Sequence, residues 1–225
     1  MLRGLVVLMA VTAVACGQHQ SATQKTADAR EKQARDVARQ AGLSPDVQDF
    51  LARYASAAGH RFTVSYGKSA NGTSVLLIQD PPLRRVDVVA PPVTRSVFVT
   101  AKGTFDCALQ DQKWACETAQ QQEAAPGLLA PADIARTASE LKAARTNYTF
   151  KVSSRKLAGT DARCLITTPK KGVAGQGSTL CLSPEGAVLL VEGNGNPLRA
   201  ARYSTSVDTR LLQLPASPEP PQPNP

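Results

Sequence analysis

From residue 62 onward the chain is a succession of short apolar segments separated by proline, glycine and Asn-Gly turn signals. In the first segment Phe62, Val64 and Tyr66 alternate with polar residues, which is the period of a strand that buries one face. A proline pair at 81–82 ends the second strand, because proline cannot donate to the ladder of a paired strand. Many short strands that turn back in this way predict an antiparallel sheet.

Helical signals occur before the first strand and again near the middle of the chain. Ser44 precedes Pro45 and an acidic first turn, a typical helix start, and apolar residues follow at helical spacing up to Gly59. Pro131 and Asp133 are predicted to start a second helix. The order of the elements predicts one α+β domain over residues 44–214, with two helices on one face of an antiparallel sheet of about eight strands.

The N-terminus has the organisation of an export signal. A basic start with Arg3 precedes an uncharged apolar run over residues 5–14, which is shorter than the roughly 20 residues of a membrane-spanning helix. We predict a signal peptide over residues 1–15 and Cys16 as the first residue after cleavage. The Ala-Val-Ala-Cys junction resembles the lipobox of bacterial lipoproteins, whose cysteine receives a diacylglyceryl group. Ala-Val-Ala is also an ordinary cleavage site, so plain secretion is the alternative.

The number and spacing of the cysteines indicate disulfides. The chain has five cysteines, and setting Cys16 aside leaves four, an even number that suits an exported protein. The spacings Cys107-x₈-Cys116 and Cys164-x₁₆-Cys181 differ from those of zinc sites and of Cys-x-x-Cys redox sites. We predict the pairs Cys107–Cys116 and Cys164–Cys181, while pairings such as Cys107 with Cys181 stay open at this point.

These features predict a cell-envelope protein that acyl chains on Cys16 anchor to a membrane. Residues 16–43 are polar and Ala-rich with almost no large apolar side chain, so we expect a lipidated N-terminus followed by a polar tether. Residues 215–225 contain six prolines and no hydrophobic pattern, which predicts a disordered tail.

Composition and motifs argue against several functional classes. The net charge is +8, but aromatic residues make up only 4% of the chain, which leaves little material for stacking on nucleic acid. There are two histidines, and the chain has no nucleophile elbow and no phosphate-binding loop. We therefore predict a monomeric protein that is not an enzyme, with no catalytic residue, no metal site, no cofactor and no nucleic-acid partner.

Several motifs carry a family resemblance that extends over most of residues 45–214. They are Phe62-x-Val-x-Tyr66, Pro81-Pro82-x-Arg84-Arg85-x-Asp87, Phe105-x-Cys107, Leu157-Ala-Gly-Thr-Asp-Ala-Arg-Cys164 and Leu180-Cys-Leu-Ser-Pro-Glu-Gly186. With the lipobox-like start, the chain resembles a group of uncharacterised bacterial envelope lipoproteins. That group is similar in architecture to the lipoprotein-carrier half-barrels, in which a curved antiparallel sheet wraps over helices and shelters acyl chains.

The resemblance implies a half-barrel that holds an apolar or lipid-like ligand, or the acyl part of another lipoprotein, between sheet and helices. An envelope protein-interaction or sensory domain with no ligand cavity is the alternative. Apolar residues predicted to face the space between sheet and helices are the candidate ligand contacts. They are Phe50, Tyr54, Phe62, Val64, Tyr66, Leu77, Phe98, Phe150 and Leu190.

The first prediction concerns the anchor. If Cys16 is lipidated, mass spectrometry of the N-terminal peptide will show an added diacylglyceryl group. Replacing Cys16→Ala will release the protein into the medium, since the remaining chain has no other acyl attachment predicted. An unmodified Cys16 at the mature N-terminus would show that the protein is secreted without an anchor.

Overall fold

One open antiparallel sheet dominates the computed structural model, which describes residues 22–69, 72–119, 133–193 and 197–218. The strands are β1 (Phe62–Tyr66), β2 (Ser74–Asp80), β3 (Leu83–Ala90), β4 (Val93–Thr100), β5 (Gly103–Gln110), β6 (Lys113–Thr118), β7 (Tyr148–Leu157), β8 (Thr160–Pro169), β9 (Ser178–Leu182), β10 (Val188–Glu192) and β11 (Leu198–Ser204). The predicted signal peptide and Cys16 lie outside the described residues.

The strand order across the sheet is β6-β5-β4-β3-β2-β1-β11-β10-β9-β8-β7. Two meanders, β1 to β6 and β7 to β11, therefore meet where β1 pairs with β11. The predicted α+β class and antiparallel sheet are confirmed, but the prediction of about eight strands was wrong, since the described residues form eleven. Strand β6 was missed because only Trp114 and Cys116 interrupt its small and charged residues, and pairing with β5 is what orders it.

Three helices accompany the sheet in the described part of the chain, where the sequence predicted two. They are α1 (Ala22–Gln40), α2 (Pro45–Ser56) and α3 (Ile134–Ala144). The helix starts agree with the sequence pattern, because Pro45 occupies the first turn of α2 and the Asp133 carboxylate accepts a hydrogen bond of 2.9 Å from the Arg136 amide. Pro131 lies outside the described residues.

Helix α1 corrects the predicted tether over residues 16–43. Ala27, Ala34 and Ala38 lie on one face of α1 and are at most 1% exposed, because that face packs against α2. Gly59 lies against the same face, and a Cβ added there would approach the Ala27 Cβ to 2.5 Å. Small residues thus allow a close helix contact, although the segment has no large apolar side chain.

The helices stack on one half of the sheet. Helix α2 packs on β7 and β8, while α1 and α3 pack chiefly on α2 and on each other. Among the described residues no comparable α-helix contact reaches β2 to β6. The prediction that helices cover the sheet therefore needs correction, since that half of the sheet lies outside the helix layer.

The two faces of the sheet have different neighbours. Val64, Leu77 and Val86 lie opposite one another on the face that we call the inner face, and the register continues it to Leu182, which packs in the helix cluster. The Tyr66 hydroxyl on this face donates a 2.7 Å hydrogen bond to the carbonyl oxygen of Val188. One buried cluster therefore lies between the inner face and α2, and the opposite, outer face has a smaller cluster around Phe98 and Phe105.

Both predicted disulfides are present, and both lie on the outer face. Cys107–Cys116 joins directly paired residues of β5 and β6, and Cys164–Cys181 does the same for β8 and β9, with Cα atoms 4.0 and 3.9 Å apart. Disulfides persist in oxidising compartments, so they indicate a protein outside the cytoplasm. Among the described residues no helix is both long enough and apolar enough to cross a bilayer.

The C-terminal segment follows β11 across the outer face. Residues Thr209–Leu212 form a short 3₁₀ turn, and Leu214 and Ala216 pack beside Trp114 in the outer cluster. The predicted disordered tail began at residue 215, so its first residues in fact belong to the packed structure. Residues 219–225 of that tail lie outside the described residues.

The packing of α1 gives a second prediction. Replacing Ala34→Arg forces a long charged side chain into a closed helix contact and should lower the free energy of unfolding by roughly 1–3 kcal/mol or more. The adjacent exposed change Gln33→Arg should stay within about 0.5 kcal/mol. Urea denaturation measures both variants. Equal effects would mean that residues 22–40 do not pack on α2 in solution.

Candidate functional site

The predicted ligand residues form the hydrophobic core. Eight of the nine are at most 8% exposed, and only Phe150 is half-buried. The structure brings together Phe62, Val64, Tyr66, Leu77 and Leu190 in one cluster, and places Phe50, Tyr54 and Phe150 beneath the helices. Phe98 belongs instead to the cluster on the outer face. Apart from Phe98, these side chains are packed within two clusters of the hydrophobic core.

Two of these residues carry buried phenol groups. Burial raises the pKa of Tyr54 to about 12. Burial, together with the neighbouring Tyr54, also raises the pKa of Tyr66, whose hydroxyl is held by the Val188 carbonyl. Both phenols therefore stay neutral over the physiological range, as expected of core side chains whose charged form is poorly solvated.

Small cavities remain at the margins of the helix layer. One of about 350 Å³ lies between α2 and the start of β7, where Phe150 lines it beside Leu43 and Val47. A second, of about 380 Å³, is polar and includes Phe50 at its edge. Neither is a continuous apolar groove between the sheet and the helices.

An apolar concavity with a volume of about 850 Å³ lies on the outer face. We call it the outer groove. Its floor is formed where β1 pairs with β11. Its walls are the β7–β8 turn on one side and the C-terminal segment on the other. It is lined by Thr63, Ser65, Leu76, Ala158, Gly159, Ala201, Arg202, Tyr203, Ser204, Ser206, Asp208 and Leu211.

The C-terminal wall of the outer groove is held by Arg85 from β3. Its guanidinium donates to the Leu211 carbonyl oxygen at 2.9 Å and to the Asp87 carboxylate at 2.6 Å, and it lies 5.0 Å from the centre of the Phe98 ring. The Thr63 hydroxyl adds a 3.3 Å hydrogen bond to the Ser206 carbonyl oxygen. Hydrogen bonds from β3 and β1 thus hold the C-terminal segment in place as one wall of the groove.

The opposite wall is the tight turn between β7 and β8. Ala158 and Gly159 occupy its two central positions with φ of 47° and 82°, the left-handed region that favours small residues in two-residue hairpins. Their small side chains leave the groove open at this end.

The chemistry of the outer groove is amphipathic. Leu76, Leu211 and Ala201 offer apolar surface, whereas serine and threonine hydroxyls and Arg202 offer hydrogen-bond donors. The Asp208 carboxylate is engaged by Arg210, whose side-chain and backbone hydrogen bonds lower the pKa of Asp208. The lining residues include no histidine, lysine or cysteine beside the hydroxyls. The arrangement can hold a ligand that has both an apolar and a polar part.

Reasoning from sequence missed the outer groove. Its strand residues are the polar partners in the period-two pattern, such as Thr63 and Ser65, which the pattern assigns to solvent. The Ala158-Gly159 turn was a usable signal, since it predicts a hairpin. No local signal showed that this turn and residues 206–211 would flank the same strands.

The comparisons with known proteins add no relative. No protein-family model matches the chain, and no curated protein matches it at a significant level.

The buried phenols lead to a third prediction. Because the pKa of Tyr54 is raised from about 10 in the unfolded chain to about 12, its contribution to stability is complete below pH 10 and is lost as the pH rises through 12. Tyr54→Phe should reduce the loss of unfolding free energy above pH 10 by up to about 1.4 kcal/mol per pH unit.

Urea denaturation between pH 7 and pH 12 measures this slope, and the variant at pH 7 provides its own reference. An unchanged slope above pH 10 would place the Tyr54 hydroxyl in contact with solvent.

Proposed function

We propose that this protein is an exported, membrane-anchored lipoprotein that is not an enzyme and binds an apolar or lipid-like ligand in the outer groove. The observation that carries the proposal is the groove itself, an amphipathic concavity of about 850 Å³ built from three separate parts of the chain. Its volume lies within the range of small-molecule sites, roughly 300–1,000 Å³. Because most of the candidate residues between sheet and helices are buried core side chains, we place the proposed site on the outer face.

The position of α1 supports the membrane anchor. Five residues lie between Cys16 and the start of α1 at Ala22, a span of at most about 20 Å. The first turns of α1 lie against Gly59, just before β1, and the outer groove begins at Thr63 of that strand. Lipid attached at Cys16 therefore holds this end of the domain close to the bilayer, where amphiphiles are available.

The lining of the outer groove favours an amphiphile over a purely polar ligand. Burial of an alkyl chain against Leu76 and Leu211 contributes roughly 25 cal/mol per Å² of apolar surface. The hydroxyls of Ser204 and Ser206 and the guanidinium of Arg202 are suited to a polar head. The ligand class is thus a lipid or a lipid-like molecule with one polar end.

An interaction domain is the second candidate, and the open sheet favours it. Strands β6 and β7 each have one neighbour among the described strands, so each presents an unpaired edge to which a partner strand could add. Edge strand β7 carries Lys151, Arg155 and Lys156, and such charges oppose pairing between copies. This supports a monomer, and a strand that adds to one of these edges would come from a different protein.

The fourth prediction tests the outer groove. Ala201 is an exposed alanine on its floor, and Ala201→Trp should fill part of the groove and lower affinity for a fluorescent fatty acid at least tenfold. Ala115→Trp, an exposed alanine on β6 away from the groove, is the matched control and should bind like the wild type. Fluorescence titration measures binding, and urea denaturation shows that both variants fold.

Native mass spectrometry of protein extracted from its own membranes gives the complementary result, a retained lipid that is lost in Ala201→Trp. If the wild-type protein neither retains lipid nor binds the fatty acid, the result would contradict ligand binding and favour the interaction function.

A further inference from the structure

A polar cavity of about 380 Å³ lies at the opposite side of the sheet from the outer groove, between α1, α2 and the start of β8. Arginines from three elements meet in it: Arg35 from α1, Arg53 from α2 and Arg163 from β8. We call it the arginine pocket. It is lined by Glu31, Arg35, Asp49, Phe50, Arg53, Ser56, His60, Arg163 and Pro184.

The acidic residues of the arginine pocket are paired within it. Arg35 lies 3.0 Å from the Glu31 carboxylate and 3.2 Å from the Asp49 carboxylate, so one guanidinium engages both acids of the lining. Arg163 is 3.7 Å from Asp46, whose side chain is 74% exposed and is therefore weakly held. The pairing leaves Arg53 and Arg163 with donors available.

Arg53 is the cation without a carboxylate partner in this cluster. No described carboxylate forms an ion pair with it, although it is half-buried. Burial, and then the neighbouring charge of Arg163, lower the pKa of Arg53, while Glu185, Glu31 and Asp49 act more weakly in the other direction. The Glu185 carboxylate accepts a hydrogen bond from the Tyr203 hydroxyl and so is engaged elsewhere.

The backbone around Arg53 is rigidly supported. The Ser56 hydroxyl donates a 2.9 Å hydrogen bond to the Arg53 carbonyl oxygen. Gly186, with φ of 79°, ends the turn that carries Pro184, and a Cβ there would approach that same oxygen to 2.2 Å. Only glycine permits this contact, which fixes the turn against α2 and closes one side of the arginine pocket.

We propose that the arginine pocket is a binding site for the phosphoryl group of a phosphate ester. Two adjacent guanidinium groups without a shared carboxylate repel each other, and an oxyanion between them removes that repulsion and accepts their planar pairs of N–H donors. The volume exceeds what a bare phosphate needs and leaves room for the esterified group. This site does not rest on the outer groove or on the lipid anchor.

Isothermal titration of the mature protein with inorganic phosphate, glycerol 3-phosphate and soluble dihexanoyl phosphatidylglycerol tests the proposal at constant ionic strength. We expect saturable binding that Arg53→Gln weakens at least tenfold and that Arg163→Gln also weakens. The control Arg136→Gln removes the same charge from an exposed side chain of α3 and should change affinity less than twofold. Arg163→Gln serves as the test if Arg53→Gln does not fold.

The probes separate the two sources of a phosphoryl group. Tighter binding of dihexanoyl phosphatidylglycerol than of glycerol 3-phosphate, with the same dependence on Arg53, would assign a lipid headgroup, and equal binding would assign a soluble ester. Either result supports a phosphoryl site. Absence of saturable binding for all three probes, or equal weakening by Arg136→Gln, would overturn it.

Discussion

The pairing of β1 with β11 is the contact on which the rest of the structure depends. It joins residues about 140 positions apart, such as Thr63 and Ser204, and turns two local meanders into one sheet. On the inner face it brings Tyr66 within hydrogen-bond distance of the Val188 carbonyl. On the outer face the same junction forms the floor of the outer groove. The core and the proposed ligand site therefore lie on opposite faces of the same strand pair.

The packing of the helices depends on a different constraint, which is that a few positions carry small side chains. Alanines along α1 and the glycine at position 59 let α1 approach α2 and the start of β1. This close approach brings Arg35 of α1 to Asp49 of α2, in the cavity where Arg53 and Arg163 also lie. Small side chains thus determine where charged ones meet, and a longer residue at Ala34 would separate them.

The proposed sites show why local patterns predict strands better than binding surfaces. A period-two pattern identifies Phe62, Val64 and Tyr66 as one face, and the structure buries that face as expected. Buried in the core, these three side chains expose almost no surface. The residues left to bind are those between them, together with turns and a C-terminal segment that lie far away along the chain. Sequence spacing contains no information on that assembly.

Local sequence patterns predicted the α+β class, the antiparallel strands, the starts of α2 and α3 and the disulfide pairs that the strand register then selected. Each depends on local spacing, or on cysteines in neighbouring strands, such as Cys164 and Cys181. Long-range contacts were needed to show that residues 22–40 pack as a helix and that the helices lie over one half of the sheet. The tertiary structure also decided where Leu76, Ala158 and Leu211 meet. The physical reason is that such contacts depend on which distant surfaces fit together, and no local propensity encodes that fit.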